Sequence, residues 1–254
     1  MPDVVPAASA AAFRLLFTDL ISDQPRDALP VSGLRFDDYI GRTGALSGTV
    51  PVPDRATAAR VRAAVVPGRT AVWVQRGGAV WWGGIVWTMT PATDERGGVA
   101  VELQAATWDS YLDHRTLYDT VTATDVDQFE TARQLVDYAQ GLPGGDVGIV
   151  TDEAQLSGVT RTRTYAGSDM TRVREALDEL ADAGGFEWRI RCDQAPGGAR
   201  VKALQLGHPV IRSGGPERML TYPGNVLGYS WPVDATEAAN VWRARGATVN
   251  HNQA

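Results

Sequence analysis

The 254-residue sequence predicts an α+β protein that is mainly β, with two small β-barrel-like domains separated by an α/β insertion. Three observations support this fold class. Short strand-like runs separated by turn residues fill residues 1–107, which is typical of a small barrel or sandwich. Helical spacing of apolar residues then appears in residues 108–206. Strand-like patterns resume in residues 207–254, where the second barrel is expected to begin.

The first domain is predicted to contain strands around one short helix, after an N-terminal arm over residues 1–12. Alternating apolar residues predict strands over residues 13–20, 33–39, 45–52 and 99–107. Residues 22–30 are polar and contain two prolines, which favours a loop. Pro51 argues that its strand lies at a sheet edge. Asp54 is positioned to cap a helix that runs to Val65.

The most apolar and aromatic segment is Thr70–Thr90, which reads TAVWVQRGGAVWWGGIVWTMT. Its Gly77-Gly78 dipeptide suits a two-residue turn and predicts a β-hairpin. With that turn, Trp73 pairs with Trp82 and shares its face, whereas Trp81 and Trp87 share the other face. Both faces are apolar, so the hairpin is expected to lie in a barrel wall. One face would fill the barrel, and the other would lie under the helix or against a neighbouring subunit.

The tryptophans and mid-strand glycines are the candidate site residues. Gly83-Gly84 lies inside a strand, where glycine marks a bulge, a bend or a close backbone approach. Tryptophan buries a large area and is enriched where subunits meet, which favours packing over sugar stacking. The residues expected to pack in the barrel wall or at an interface are Trp73, Trp81, Trp82, Gly83, Gly84, Trp87, Trp231 and Trp242.

The insertion is predicted to contain helices, a strand and a hairpin. Helical spacing covers residues 108–115, 126–140 and 170–183. Asp125 is expected to cap the second helix and Ser168-Asp169 the third, with Gly141 and Gly184 as their stops. The strands predicted in the insertion cover residues 161–165, 186–192 and 200–206. Those predicted after it cover residues 218–222, 226–231 and 238–247.

Composition excludes several classes of function. The net charge of −6 disfavours nucleic-acid binding, which depends on neutralising phosphates. Cys192 is the only cysteine, so no disulfide can form within the chain. No apolar run reaches membrane-spanning length. The N-terminus lacks the basic start of a secretory signal, so synthesis in a cytosol is expected.

No catalytic, cofactor or metal-binding motif is found. His114, His208 and His251 have no metal-ligand spacing, and His114 is interpreted as a surface residue. There is no phosphate-binding loop and no GxSxG elbow. Three acidic clusters raise the question of a glycosidase pair, namely Asp37-Asp38, Asp152-Glu153 and Glu175/Asp178/Glu179. Because any acidic chain shows such clusters, no enzymatic activity is predicted.

Several segments occur in a characteristic order. They are GRTGALSGTVPVP, the hairpin with Trp82-Gly83-Gly84, GFEWRI at Gly185–Ile190, and late strands with Asn225 and Asn240. This order resembles the tail-tip hub, or minor tail protein, of long-tailed phages infecting actinobacteria. It is similar in plan to the baseplate hubs of contractile tails. Family members continue beyond the strand matching Ala239–Gly246, so the second barrel is expected to be incomplete.

The resemblance implies a structural virion protein at the phage tail tip, without cofactor or enzymatic activity. It implies a homotrimer whose paired barrels form a pseudo-sixfold ring. The expected partners are the distal tail protein, the tape measure protein and tail fibre or spike proteins. DNA would contact the ring only in transit, and no membrane is expected in the assembled tail. Two alternatives are a carbohydrate-binding module that uses the tryptophan hairpin and the non-catalytic front part of a tail-associated peptidoglycan hydrolase.

Overall fold

The computed structural model describes residues 13–95, 97–212, 219–222, 228 and 230–231. The chain divides into two compact units, the first ending at Ser213 and the second beginning at Gly214. The described residues are mainly β with three α-helices, which confirms the α+β class. In the second unit, residues 219–222 do not form the predicted strand. The strand predicted over 238–247, half of the residues of the one over 226–231, and Trp242 lie outside the described residues.

Seven strands form one antiparallel sheet, with a single helix between the fourth and fifth. Strands β1 to β7 are Arg14–Asp19, Pro25–Leu29, Ser32–Phe36, Ala45–Pro51, Thr70–Arg76, Ala79–Thr93 and Val99–Thr107. Helix α1 is Arg55–Ala64. The strand order is β2-β1-β5-β6-β7-β4-β3, so the aromatic hairpin β5–β6 occupies the middle of the sheet.

The two outermost strands of this sheet are consecutive in the chain, with only Pro30 and Val31 between them. All pairings in the sheet are antiparallel, so β2 and β3 run in the same direction, as two halves of one bent segment. The first half pairs with β1 and the second with β4. Because both edges of the sheet meet at this link, the sheet is curled. No ladder joins β2 to β3 in the described residues, so the predicted closed barrel is not shown.

Two local predictions in this part are wrong. Residues 22–30 contain strand β2 rather than only a loop, because Leu29 and its neighbours pair with β1 despite the prolines. Strand β4 does not lie at a sheet edge, since it sits between β7 and β3. Its Pro51 is nevertheless tolerated, because the ladder with β3 ends at the pair Ser32 and Thr49, before the proline is reached.

The predicted bounds of helix α1 are confirmed to within one residue, since the helix ends at Ala64 and Val65 follows as its C-cap. The Asp54 carboxylate accepts a 2.7 Å hydrogen bond from the backbone N–H of Thr57, as expected of an N-cap. Val61 and Ala64 are buried against one face of the sheet. This face and the helix enclose the first of two hydrophobic cores, here called the sheet core. Its members include Phe17, Leu46, Val50, Val72, Val74, Trp82 and Leu103.

The register predicted for the hairpin is correct only at its turn. Arg76 pairs with Ala79 as expected, but a β-bulge follows and Val74 pairs with Trp82 instead of Trp81. A bulge adds one residue to one strand, so every later side chain changes face. Trp73 therefore lies opposite Gly83 and on the other face from Trp82. The predicted grouping of Trp73 with Trp82 is wrong.

Residues 108–207 carry the remaining helices and two small sheets. A 3₁₀ helix over Trp108–His114 is followed by β8 Val121–Asp127, α2 Gln128–Gly141, β9 Ile149–Val150, β10 Thr160–Tyr165, α3 Val173–Gly184, β11 Glu187–Gln194 and β12 Arg200–Gly207. Strand β8 pairs with β10, and β12 lies between β11 and β9. The strands predicted over 161–165, 186–192 and 200–206 are confirmed to within about two residues.

The helix starts in this part are shifted from the predicted caps. Helix α2 is capped by Asp127, whose carboxylate accepts from the N–H of Phe129, because pairing of β8 with β10 extends past Asp125. Helix α3 begins after a 3₁₀ turn at Gly167–Asp169 rather than directly at Ser168. Its last residue is Gly184, and the following Gly185 has a φ of 63°, the left-handed conformation typical of a helix stop.

The second core, here called the shared core, joins the sheet to residues 108–207. Its side chains come from the hairpin, from the 3₁₀ helix, and from helices α2 and α3 with their neighbouring strands. Its members include Trp73, Ile85, Trp108, Leu112, Phe129, Leu135, Leu177, Leu180, Phe186 and Trp188. The hairpin face that carries Trp73 and Ile85 is thus covered by residues 108–207 of the same chain. Helix α1, one of the two covers expected for this face, does not cover it. The sheet and residues 108–207 belong to one compact unit.

Candidate interaction site at the aromatic hairpin

Trp82 and Trp73 are buried within the chain, Trp82 in the sheet core and Trp73 in the shared core. Trp82 is 1% exposed in the sheet core, and its indole N–H donates a 2.8 Å hydrogen bond to the carbonyl oxygen of Asp37. Trp73 is fully buried in the shared core, where its N–H is shared between the Thr18 hydroxyl at 3.2 Å and the Asp23 carboxylate at 3.1 Å. Both indoles therefore have polar partners as well as packing, which fixes them in place.

Trp87 is also committed to the chain. It packs against the shared core, and its indole N–H donates to the Ser110 hydroxyl at 2.9 Å. Its ring lies 4.1 Å from that of His114, which is exposed as predicted for a surface histidine. Three of the four hairpin tryptophans thus stabilise the fold of this unit.

Gly83 and Gly84 are required by close packing. A Cβ at Gly84 would lie 2.1 Å from the carbonyl oxygen of Ala106, and one at Gly83 would lie 2.7 Å from the Trp108 ring. Both distances are below any real Cβ contact. A bulge, a bend or a close backbone approach was expected at Gly83-Gly84, and the structure confirms the close approach. The bulge in the pairing of β5 with β6 lies at Trp81, not at the glycines.

Trp81 differs from the others because the bulge directs it to the surface, where it is 54% exposed. The Phe13 ring contacts it edge-on, with centroids 5.9 Å apart, and the Phe36 ring lies 5.7 Å from that of Phe13. The guanidinium of Arg76 lies 5.0 Å from the Phe13 ring and 5.6 Å from the Trp81 ring. We call Phe13, Phe36, Arg76 and Trp81 the aromatic patch. Phe13 and Phe36 were not predicted, since nothing local brings residues 23 positions apart together.

The aromatic patch borders a cavity of about 680 Å³ at the place where β2 passes into β3. Phe13 and Phe36 belong to both, so patch and cavity form one continuous apolar surface. A cavity of this size is in the range of ordinary binding pockets. The patch and the cavity together are the candidate interaction site.

A buried ion pair joins the 3₁₀ helix to helix α3 and also contacts Thr43 in the β3–β4 connection. The Arg174 guanidinium binds the Asp109 carboxylate and also donates to the Thr43 hydroxyl at 2.5 Å and to Asp178 at 3.2 Å. Asp178 also accepts from the indole N–H of Trp188 at 3.0 Å, and burial raises its pKa above the usual range. These contacts give a structural role to Asp178, one member of the acidic cluster Glu175/Asp178/Glu179.

Lys202, the only lysine, is a second polar link that sequence reasoning missed. It is 4% exposed, and its ammonium donates to the carbonyl oxygens of Leu20 and Val147 at 3.0 and 2.5 Å. Burial lowers its pKa to about 8. The alternation of β12, in which Lys202, Leu204 and Leu206 share the buried side, is the sequence signal that could have revealed it.

The other predicted positions are not drawn together. Trp231 belongs to the second unit and is exposed. The carboxylate of Asp37 accepts the N–H of Ala45 at 2.7 Å, a role in the β3–β4 connection. Within the described ranges, no group of three or more histidine, cysteine, aspartate or glutamate side chains could hold a metal ion. Of the described helices, none has the length and apolar character needed to cross a membrane.

Comparison with known proteins gives distant structural similarity only. No protein-family model and no curated protein sequence matches the chain. A tail protein from Neisseria meningitidis MC58 is 12% identical over 75% of this chain and 50% of its own length, with a TM-score of 0.45. The E. coli c3393 protein, described as a type VI secretion component with structural similarity to T4 tail proteins gp27 and gp5, is 10% identical with a TM-score of 0.44.

A third similar structure is the 43 kDa tail protein of prophage MuSo2 from Shewanella oneidensis. It is 14% identical over 76% of this chain and 55% of its own length, with a TM-score of 0.44. The chain thus spans about half the length of the solved structures it resembles. Similarity at this level does not assign the chain to a family.

Proposed function

We propose that this chain is a structural protein of a bacteriophage tail and acts as a trimeric hub at the tail tip. The observation that carries the proposal is the division of the hairpin tryptophans. Trp73, Trp82 and Trp87 stabilise the chain itself, whereas Trp81 stands exposed in the aromatic patch. Aromatic side chains and arginine are enriched in protein–protein interfaces relative to the rest of the surface. The sequence resemblance to tail-tip hubs supplies the class of assembly.

The proposed partners follow the same resemblance. A second and third copy would complete a ring, the distal tail protein would lie above it, and fibre or spike proteins below. The tape measure protein and DNA would pass through the ring, with no cofactor and no membrane involved. A net charge of −6 supports passage of DNA, because an acidic wall repels phosphates. The protein would be made in the host cytoplasm and reside in the virion.

A second candidate function rests on the same residue. Trp81 is the hairpin tryptophan whose ring is exposed enough to stack on a sugar. A carbohydrate-binding module, or the binding part of a peptidoglycan hydrolase, would use it in that way. The two functions differ in the expected oligomeric state, because a glycan-binding module needs no second copy.

The test is the solution mass of the full chain, together with its symmetry in electron microscopy. We expect a trimer with threefold symmetry, and we expect Trp81→Ala to weaken assembly while the circular dichroism spectrum is unchanged. Tyr118→Ala is the matched control, since Tyr118 is an aromatic residue of similar exposure outside the patch. A monomer at all concentrations that binds cell-wall glycan through Trp81, or that digests cell wall, would overturn the proposal.

A further inference from the structure

The cavity beside the aromatic patch is an open seam in the curled sheet, and we call it the seam groove. Its volume is about 680 Å³. Its larger apolar lining residues are Phe13, Leu15, Leu29, Val31, Leu34 and Phe36. Leu15 and Leu29 belong to the sheet core, so the groove extends to the inner face of the sheet.

Among the described residues, both walls of the groove are strands with an edge that carries no ladder over part of its length. Strand β1 pairs with β2 only up to Leu15 and Leu29, because the next residue, Pro30, has no N–H to continue the ladder. Strand β3 pairs with β4 on one side, and its other side carries no ladder in the described residues. Free edges of this kind bind extended segments through main-chain hydrogen bonds, with alternate side chains entering pockets.

The charge at the mouth of the groove selects the chemistry of such a segment. Arg14 lines the groove, Arg35 is exposed on β3, and Arg76 covers the Phe13 ring. The nearest carboxylate on β2, Asp27, is already bound by Arg60 at 2.7 Å. Arg14 and Arg35 thus offer positive charge beside an apolar groove, although the net charge of the whole chain is −6. Complementary charge would come from glutamate or aspartate.

We propose that the seam groove binds an extended segment of another protein, apolar at alternate positions and acidic at the others. Its backbone lies between the start of β1 and the free edge of β3. Its apolar side chains enter the groove between Phe13, Leu34 and Phe36, and its carboxylates meet Arg14 and Arg35. The five residues of β3 span about 17 Å, which sets the length of the segment at about five residues. This inference does not depend on the tail-tip function.

The test uses the full chain and a fluorescein-labelled, N-acetylated octapeptide of alternating valine and glutamate, with binding measured by fluorescence anisotropy. We expect it to bind about tenfold more tightly than the valine–lysine peptide of equal length. We also expect Arg35→Glu and Phe13→Ala to weaken it about fivefold or more. Arg62→Glu, a change of an exposed arginine on α1, is the matched control and should leave binding unchanged.

A further control separates strand pairing from simple charge attraction. The same peptide with alternate backbone nitrogens methylated cannot complete the ladder and should not bind. The proposal is overturned if neither peptide binds at millimolar concentration, if both bind equally, or if methylation has no effect. It is also overturned if solution mass shows a dimer that dissociates on Phe13→Ala, because the groove would then hold a second copy. Circular dichroism of Phe13→Ala establishes that this variant is folded.

Discussion

The ammonium of Lys202 lies 3.0 Å from the carbonyl oxygen of Leu20, so strand β12 is bound directly to the turn after β1. The same ammonium reaches the carbonyl oxygen of Val147 and lies 4.8 Å from the Trp108 ring. The cation on β12 thus meets three other segments of the chain, at Leu20, Trp108 and Val147. Because burial lowers the pKa of Lys202 to about 8, the charge at this junction titrates well below the range of an exposed lysine.

This titration predicts a definite sign for the pH dependence of stability. The pKa of an unfolded lysine is about 10.4, so between pH 8 and 10 the unfolded chain binds more protons than the folded one. The free energy of unfolding should therefore rise with pH in this window, by roughly 1 kcal/mol per unit at most. We expect this rise in the native chain relative to Lys202→Met, measured by urea unfolding at each pH. Equal slopes for the two proteins would contradict the assignment.

The buried pair of Arg174 and Asp109 predicts a large loss on removal of one charge. Asp109→Asn leaves the arginine buried without its main partner, which typically costs about 3 kcal/mol. Arg163→Ala removes an exposed pair with Glu179, for which less than about 1 kcal/mol is expected. Chemical denaturation of both variants makes the comparison. A loss in Asp109→Asn no larger than in Arg163→Ala would show that the buried pair contributes little.

The tight packing of Gly84 predicts that a single methyl group is destabilising. In Gly84→Ala the new Cβ would clash with the backbone oxygen of Ala106 and with the Trp82 ring. Overpacking of this kind costs about 1–3 kcal/mol. Gly141→Ala is the control, because a Cβ at Gly141 would meet nothing within 4 Å. Alanine is also more favourable than glycine within a helix, and Gly141 is the last residue of α2. A Gly84→Ala protein with unchanged thermal stability would mean that β6 and β7 separate easily.

Local patterns predicted the elements that depend on local physics. The helix over 55–64 follows from the Asp54 cap and its apolar face, and both features lie within one short segment. The alternation of Phe186 to Cys192 likewise predicted β11. In contrast, β2 was missed because Pro25 and Pro30, at its start and just after its end, outweighed weak alternation. Its strand form comes from pairing with β1, which no local pattern contains.

The candidate site could be predicted only in part, for the same reason. The hairpin and its turn were evident from Gly77-Gly78, but the face of each tryptophan depends on a bulge at Trp81 that composition does not show. One extra residue moved Trp82 into the sheet core and left Trp73 in the shared core. The meeting of Phe13 with Phe36 depends on the curl of the whole sheet. Pairing between strands that are distant in the sequence therefore determines which aromatic side chains are exposed.

The adjacent tryptophans of the hairpin provide the sharpest test of that register. Trp82 is 1% exposed and hydrogen-bonded to the carbonyl oxygen of Asp37, so Trp82→Ala should lose about 3–5 kcal/mol of unfolding free energy. Trp81 is 54% exposed, so Trp81→Ala should change stability by no more than about 1 kcal/mol. Under the predicted register without a bulge, Trp81 would lie on the face of Trp87. Urea unfolding of the two variants at the same pH and temperature tests the register. Equal losses of unfolding free energy would indicate that both side chains are buried and would contradict the bulge at Trp81.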